Sequence, residues 1–189
     1  MSWAIWITGR PGSGKTTLAA RVAESLQSWP VTVKVLDLTA ARQAIVGRAW
    51  AADTEEEIVH RAVAYAAKLL TDAGVAVVVD ATAPRRAWRD TAREWITHFA
   101  EVQLVCPPEL CAAREQAARW GLGGARGRAA VAAAPDFALD YEESLHPELS
   151  LHTHGPDLFH TVEEVVLLAR HLHRAAAASV IITTRRDPP

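Results

Sequence analysis

Gly9-Arg10-Pro11-Gly12-Ser13-Gly14-Lys15-Thr16 constrains this chain more than any other stretch. It fits G-x-x-x-x-G-K-[ST] at every fixed position and directly follows the apolar run Trp3-Ala4-Ile5-Trp6-Ile7. Glycines at this spacing let the backbone turn sharply with little bulk, so that successive N–H groups wrap a phosphate. Lys15 then sets a positive charge against the β- and γ-phosphates, and the hydroxyl of Thr16 ligates the Mg²⁺ that bridges them. Both open a helix, whose dipole favours anions at that end. The expected ligands are a nucleoside triphosphate and Mg²⁺, held by Gly9, Arg10, Pro11, Gly12, Ser13, Gly14, Lys15, Thr16 and Thr17.

The rest of the chain is patterned to build a sheet behind that loop. Leu18, Val22 and Leu26 recur at a spacing of four and form one face of a helix that Pro30 ends. Val31 to Asp37 is a β-branched run too short for a helix, and Val75 to Thr82 is a continuous apolar strand of the kind buried on both faces of a parallel sheet. Each delivers an aspartate, Asp37 and Asp80, to its C-terminal end, where ligands bind in open α/β sheets. Asp37 is a candidate for accepting a proton from a substrate hydroxyl or holding a metal-bound water, with capping of the next helix as the plainer role. Asp80 is a candidate for organising the Mg²⁺ shell from a second strand. Lys15, Asp37 and Asp80 are thus the catalytic set, and Thr16, Asp37 and Asp80 the metal set.

Asp53-Thr54-Glu55-Glu56-Glu57 reads as an acidic, solvated helix start, with Ile58, Val59, Val63, Ala66, Ala67 and Leu70 as its apolar face. Pro84-Arg85-Arg86 opens a helix that also carries Arg89 and Arg93. Arginines at that end oppose the dipole, so either an anion in the cleft favours Arg85 and Arg86, or they pair with Asp90 or Glu94. Val102 to Cys106 is a strand, and a helix follows from Pro108 towards Trp120. Gly121 to Arg128 is glycine-rich and carries Arg126 and Arg128, as in a lid that closes on phosphates. Leu149 to Thr153 reads as a last core strand. Thr161 to His173 reads as a helix opening on a Thr161/Glu164 capping box, with Val180-Ile181-Ile182 as an edge strand or a frayed end.

Strands alternating with helices, a phosphate loop on the first and a lid late in the chain describe a P-loop NTPase, nucleotide-kinase-like, with a three-layer α/β/α build and a parallel sheet. One domain over residues 1–178, with its lid at about 115–135, and a C-terminal tail at 179–189 accommodate 189 residues that are 50% hydrophobic. A net charge of −2 disfavours nucleic acid as a partner. No apolar stretch approaches a membrane span, and no basic-then-apolar leader precedes the first strand, which points to a cytoplasmic protein. Cys106 and Cys111 read as reduced thiols.

The chain resembles adenylyl-sulfate kinase, which phosphorylates the 3′-hydroxyl of adenosine 5′-phosphosulfate. The resemblance rests on Gly9 to Thr17, Leu36-Asp37, Ala67 to Gly74, Ala83-Pro84-Arg85-Arg86, Pro108 to Arg114, and Tyr141-Glu142 leading to Pro147 through Leu151. It implies ATP as donor, with Arg114 against the donor adenine and Phe137 stacked on the acceptor's adenine. Arg42 matches an acceptor-side arginine, and Trp50 lies close to the position of the family's stacking phenylalanine. Val78-Val79-Asp80-Ala81-Thr82 is also similar to polynucleotide-kinase-like and zeta-toxin-like kinases.

Departures concentrate on the acceptor half. Thr39 stands where the family carries a second carboxylate, and Thr54 to Val59 is acidic and apolar where the family has an acceptor-binding arginine and asparagine. Arg42, Trp50, Arg85, Arg86 and Phe137 are the acceptor-binding set. Adenylyl sulfate is the leading small-molecule acceptor, expected to be a weak one. A less anionic hydroxyl compound and a nucleotide-binding switch without transfer activity are the alternatives, and a homodimer is compatible with the pattern.

Overall fold

A computed structural model of the chain describes residues 1–46, 53–119, 140–155 and 158–184. In order the elements are β1 (Ala4–Gly9), α1 (Lys15–Ser25), β2 (Val33–Asp37), α2 (Leu38–Val46), α3 (Asp53–Asp72) and β3 (Ala76–Asp80). They continue with α4 (Arg86–Trp95), β4 (Phe99–Val105), α5 (Pro108–Arg119), β5 (Leu149–His152) and α6 (Leu158–Thr184). The strands form one sheet in the order β2-β3-β1-β4-β5, and every pairing is parallel.

Because side chains alternate across a strand, β1 divides the core in two. Trp3, Ile5 and Ile7 face Leu18, Val22 and Leu26 of α1 and Val165, Ala169 and Leu172 of α6. Ala4 and Trp6 face Val59, Val63 and Ala67 of α3 and Ala92 of α4. β1 and β3 are fully buried, as continuous apolar strands inside a parallel sheet should be. The layers are helix, sheet, helix, and the loops at the C-terminal strand ends share one edge of the molecule.

β4 starts at Phe99, earlier than its apolar run suggests, because Glu101 and Gln103 are part of the ladder and are buried. α6 begins at Leu158, so Thr161 lies inside the first turn and does not cap it. The helix also continues through residues 180–182 in place of an edge strand. Arg174-Ala175-Ala176-Ala177-Ala178 is a strong helix-forming run, and it carries the β-branched residues along. Among the described residues no helix is long and apolar enough to cross a membrane.

Candidate active site

β1 ends at Gly9 and the chain turns into α1 through residues 10–14. Gly12, at φ 76°, lies against α5 so closely that a Cβ would run into the carbonyl of Cys111. Gly14 adopts φ 101° at the N-cap of α1, and no atom comes within 4 Å of where its Cβ would be. Only glycine takes both the left-handed backbone and the close approach. The space beside Gly14, at the N-terminus of α1, is open, as an anion site requires.

Lys15 is buried, and its Nζ donates to the carbonyls of Gly9 (3.1 Å) and Arg10 (3.0 Å). Burial lowers its pKa, opposed by the carboxylate of Asp80. Asp80 is buried beside it at the end of β3. Burial raises the pKa of that carboxyl, while Lys15 and a hydrogen bond with Thr16 pull it down. Lys15, Thr16 and Asp80 therefore converge on one point beneath the loop. A hydroxyl and a carboxylate are hard oxygen donors, and they fit magnesium.

Asp37 is paired in register with Asp80, and its charge helps to raise the Asp80 pKa. Its Oδ1 accepts the amides of Thr39 (2.7 Å) and Ala40 (3.2 Å), so it caps α2. Capping occupies one carboxylate oxygen, which still leaves the group beside Asp80.

On the β4–β5 side of the loop, Ser13, Gly14, Thr17, Leu18, Arg114 and Thr153 help to line a cavity of about 260 Å³. Arg114 is held there by donating to the carbonyl of Thr153 at 2.7 Å and to the Cys106 sulfur at 3.6 Å. Cys106 and Cys111 are free and buried, and burial pushes the Cys111 thiol up to about 12. A larger cavity of about 420 Å³, lined by Leu26, Trp29 and Val33 among others, lies where α1 leads into β2, away from the loop.

The opposite flank differs from the sequence reading. Glu56 is not solvated: it is buried one turn into α3, with its Oε1 2.5 Å from the Arg42 guanidinium. His60, which sequence reasoning passed over, is also buried. Its Nδ1 lies 2.7 Å from the Glu56 carbonyl, and its ring stacks on Trp88 at 4.3 Å. Burial lowers its pKa to about 4, so the imidazole is neutral near pH 7.

The arginines of α4 find partners neither in Asp90 nor in Glu94. The Arg86 amide donates to Glu142 Oε2 at 2.8 Å, and its guanidinium reaches the Glu143 carbonyl at 3.2 Å. The Arg85 guanidinium lies 6.0 Å above the Trp88 ring. Arg89 is fully buried, with its Nε 2.7 Å from Glu101 Oε1. It also donates to the Glu142 carbonyl at 2.6 Å and to the carbonyl of Ala83, whose φ of 40° is rare for a residue with a Cβ. Arg93 pairs with Glu148 at 2.5 Å. This network ties the connection after Asp80 to the segment at Tyr141, whose hydroxyl meets Thr8 at 3.2 Å. Its one trace in the sequence is the period-two placement of Glu101 and Gln103 among apolar residues. Trp50, Phe137 and most of the expected lid, with Arg126 and Arg128, lie outside the described residues.

The family described as adenylylsulphate kinase matches residues 1–152. The chain belongs to the adenylylsulphate kinase family. A probable adenylyl-sulfate kinase of Archaeoglobus fulgidus is 33% identical over 157 residues, covering 83% of this chain and 99% of the relative. One from Pyrococcus abyssi is 32% identical over 149 residues, covering 79% and 84%. The solved structure of the Mycobacterium tuberculosis APS kinase in complex with AMPPNP and APS superposes with a TM-score of 0.73 at 25% identity, over 89% of this chain and 98% of that one. As an adenylylsulphate kinase family member, the chain is an ATP-dependent phosphotransferase acting on a hydroxyl of a small molecule. The P-loop NTPase fold expected from the sequence is the one observed.

Proposed function

We propose that the acceptor is adenylyl sulfate, phosphorylated at a ribose hydroxyl with Mg²⁺-bound ATP as donor. The observation that carries this is the convergence of Lys15, Thr16 and Asp80 beneath the loop, between the Arg114 cavity and the Arg42 flank. Family membership supplies the acceptor.

The loop amides and Lys15 hold the β- and γ-phosphates and neutralise charge as the phosphoryl group leaves. Gly9, Arg10, Pro11, Gly12, Ser13, Gly14 and Thr17 shape that cradle, and Arg114 walls the donor base. Thr16 and Asp80, with Asp37 beside them, would hold Mg²⁺, which screens the phosphate charge when bound. The loose transition state asks little of a base beyond orienting the hydroxyl, and Asp37 or Asp80 is placed to do it. Arg42, Arg85 and Arg86, with Trp50 and Phe137, make up the acceptor side. The same reading takes residues 1–178 as the kinase domain with a lid at about 115–135 and 179–189 as a tail, acting in the cytoplasm, with a homodimer as its assembly.

Incubating the protein with ATP, Mg²⁺ and adenylyl sulfate, and following ADP release with mass analysis of the product, tests the assignment. Acceptor-dependent ADP and a product heavier by one phosphoryl group are expected. ADP release that adenylyl sulfate does not stimulate would overturn it.

A further inference from the structure

The sheet order separates the two substrates. The donor cavity lies over β4 and β5, next to Arg114, Thr153 and Leu104. An acceptor attacking the γ-phosphoryl group in line must approach from the other side, over β3 and β2. That flank is bounded by α2, the first turns of α3 and the connection after Asp80.

Its charges are already arranged against one another. Arg42 is a partly buried cation there, with 14% of its side chain exposed, and its partner Glu56 is buried, with 6% exposed. His60, one turn further along α3, has its Nδ1 against the Glu56 carbonyl and its ring on Trp88, and the ring is neutral at working pH. Arg86 is directed to Glu142 and Glu143. An anion reaching for Arg42 therefore meets a carboxylate anchored on a rigid helix and bonded to the same guanidinium. Like charges brought together in a partly buried site repel strongly.

We propose that Glu56 sets acceptor selectivity by holding Arg42 in a partly buried ion pair at the acceptor side of the cleft, so that an anionic acceptor must compete with a carboxylate already in place. This rests on the acceptor assignment above and makes Glu56 a positioning residue that acts through Arg42. Removing its charge while keeping its shape takes away the carboxylate with which an anionic ligand competes for that guanidinium. Highly anionic acceptors gain from that change, and donor binding on the opposite flank does not.

The test is calorimetric titration of the wild type and Glu56→Gln with adenylyl sulfate, in the presence of a non-hydrolysable ATP analogue, with the analogue titrated alone as the control. Tightening of adenylyl sulfate by at least about tenfold in Glu56→Gln, with analogue affinity unchanged, is the expected result. Equal or weaker binding in the variant overturns the role of Glu56, and leaves the acceptor assignment standing if the wild type binds. Binding by the variant but not by the wild type supports the role of Glu56 and removes adenylyl sulfate as the natural acceptor. Binding by neither removes both. Glu56→Met, of similar volume and without charge, is the second variant should Glu56→Gln fail to fold, and the same outcomes apply to it.

Discussion

Asp37 and Asp80 are register partners across the β2–β3 ladder, yet their carboxylates are used differently. Asp37 turns an oxygen onto the amides of Thr39 and Ala40, while Asp80 is buried against Lys15 and Thr16. Asp80→Asn should therefore slow turnover at least about hundredfold and raise the Mg²⁺ concentration needed for half-maximal rate. Titrating Mg²⁺ against ADP release checks both, and an unshifted titration would separate Asp80 from the metal.

Asp37 allows cap and chemistry to be told apart. Asparagine caps as well as aspartate, so Asp37→Asn should fold normally and still slow turnover about hundredfold. Asp37→Ala should in addition lose about 1 kcal/mol of stability in urea melts. If Asp37→Asn turns over like the wild type, the residue is a cap alone.

A buried Lys15 bonded to two loop carbonyls does more than meet phosphate. Lys15→Met should lower kcat at least about hundredfold and also destabilise the fold by about 1–3 kcal/mol. A variant inactive but as stable as the wild type would show the carbonyl contacts to be incidental.

His60 gives stability a pH dependence. Its folded pKa of about 4 lies below the ordinary 6.5, so below pH 6.5 the unfolded chain binds a proton that the folded chain refuses. Stability from this group is complete above that pH and falls as pH drops towards 4, by about 3 kcal/mol in all. Urea melts between pH 7.5 and 4.5 should show the wild type losing about 2 kcal/mol more than His60→Leu. Parallel losses in the two proteins would contradict the buried neutral imidazole.

Arg89 and Glu101 form a buried pair, and removing the Arg89 guanidinium leaves Glu101 with only the more distant cation of Arg93, at 3.5 Å. Arg89→Met should cost about 3–5 kcal/mol, whereas Arg89→Met with Glu101→Met should cost much less. Thermal melts of both variants decide it, and equal losses would show that packing rather than charge dominates.

The phosphate loop, the alternation of strands and helices and the two strand-end aspartates were all legible, because each depends on residues close together in the chain. The ion pairs were not. Glu56 looked like one more acid at a helix start, where the dipole alone explains it; its burial depends on Arg42, fourteen residues earlier, facing it across a helix pair. Arg89 and Arg93 offered no local signal of their pairing, because Glu101 lies on the next strand and Glu142 and Glu148 lie more than fifty residues away. At α6 the misreading was local: Thr161 and Glu164 have the spacing of a capping box, but the helix begins one turn earlier, which puts both inside it.

Gly12 rests on the carbonyl of Cys111, and Arg114 lies one turn further along the same helix. On the proposed donor site the nucleotide would meet α5 twice, at its phosphates through the loop and at its base through the arginine. Base and phosphate recognition are not separate adjustments here: a substitution that tilts α5 shifts both ends of the donor together, like two fittings on one rail.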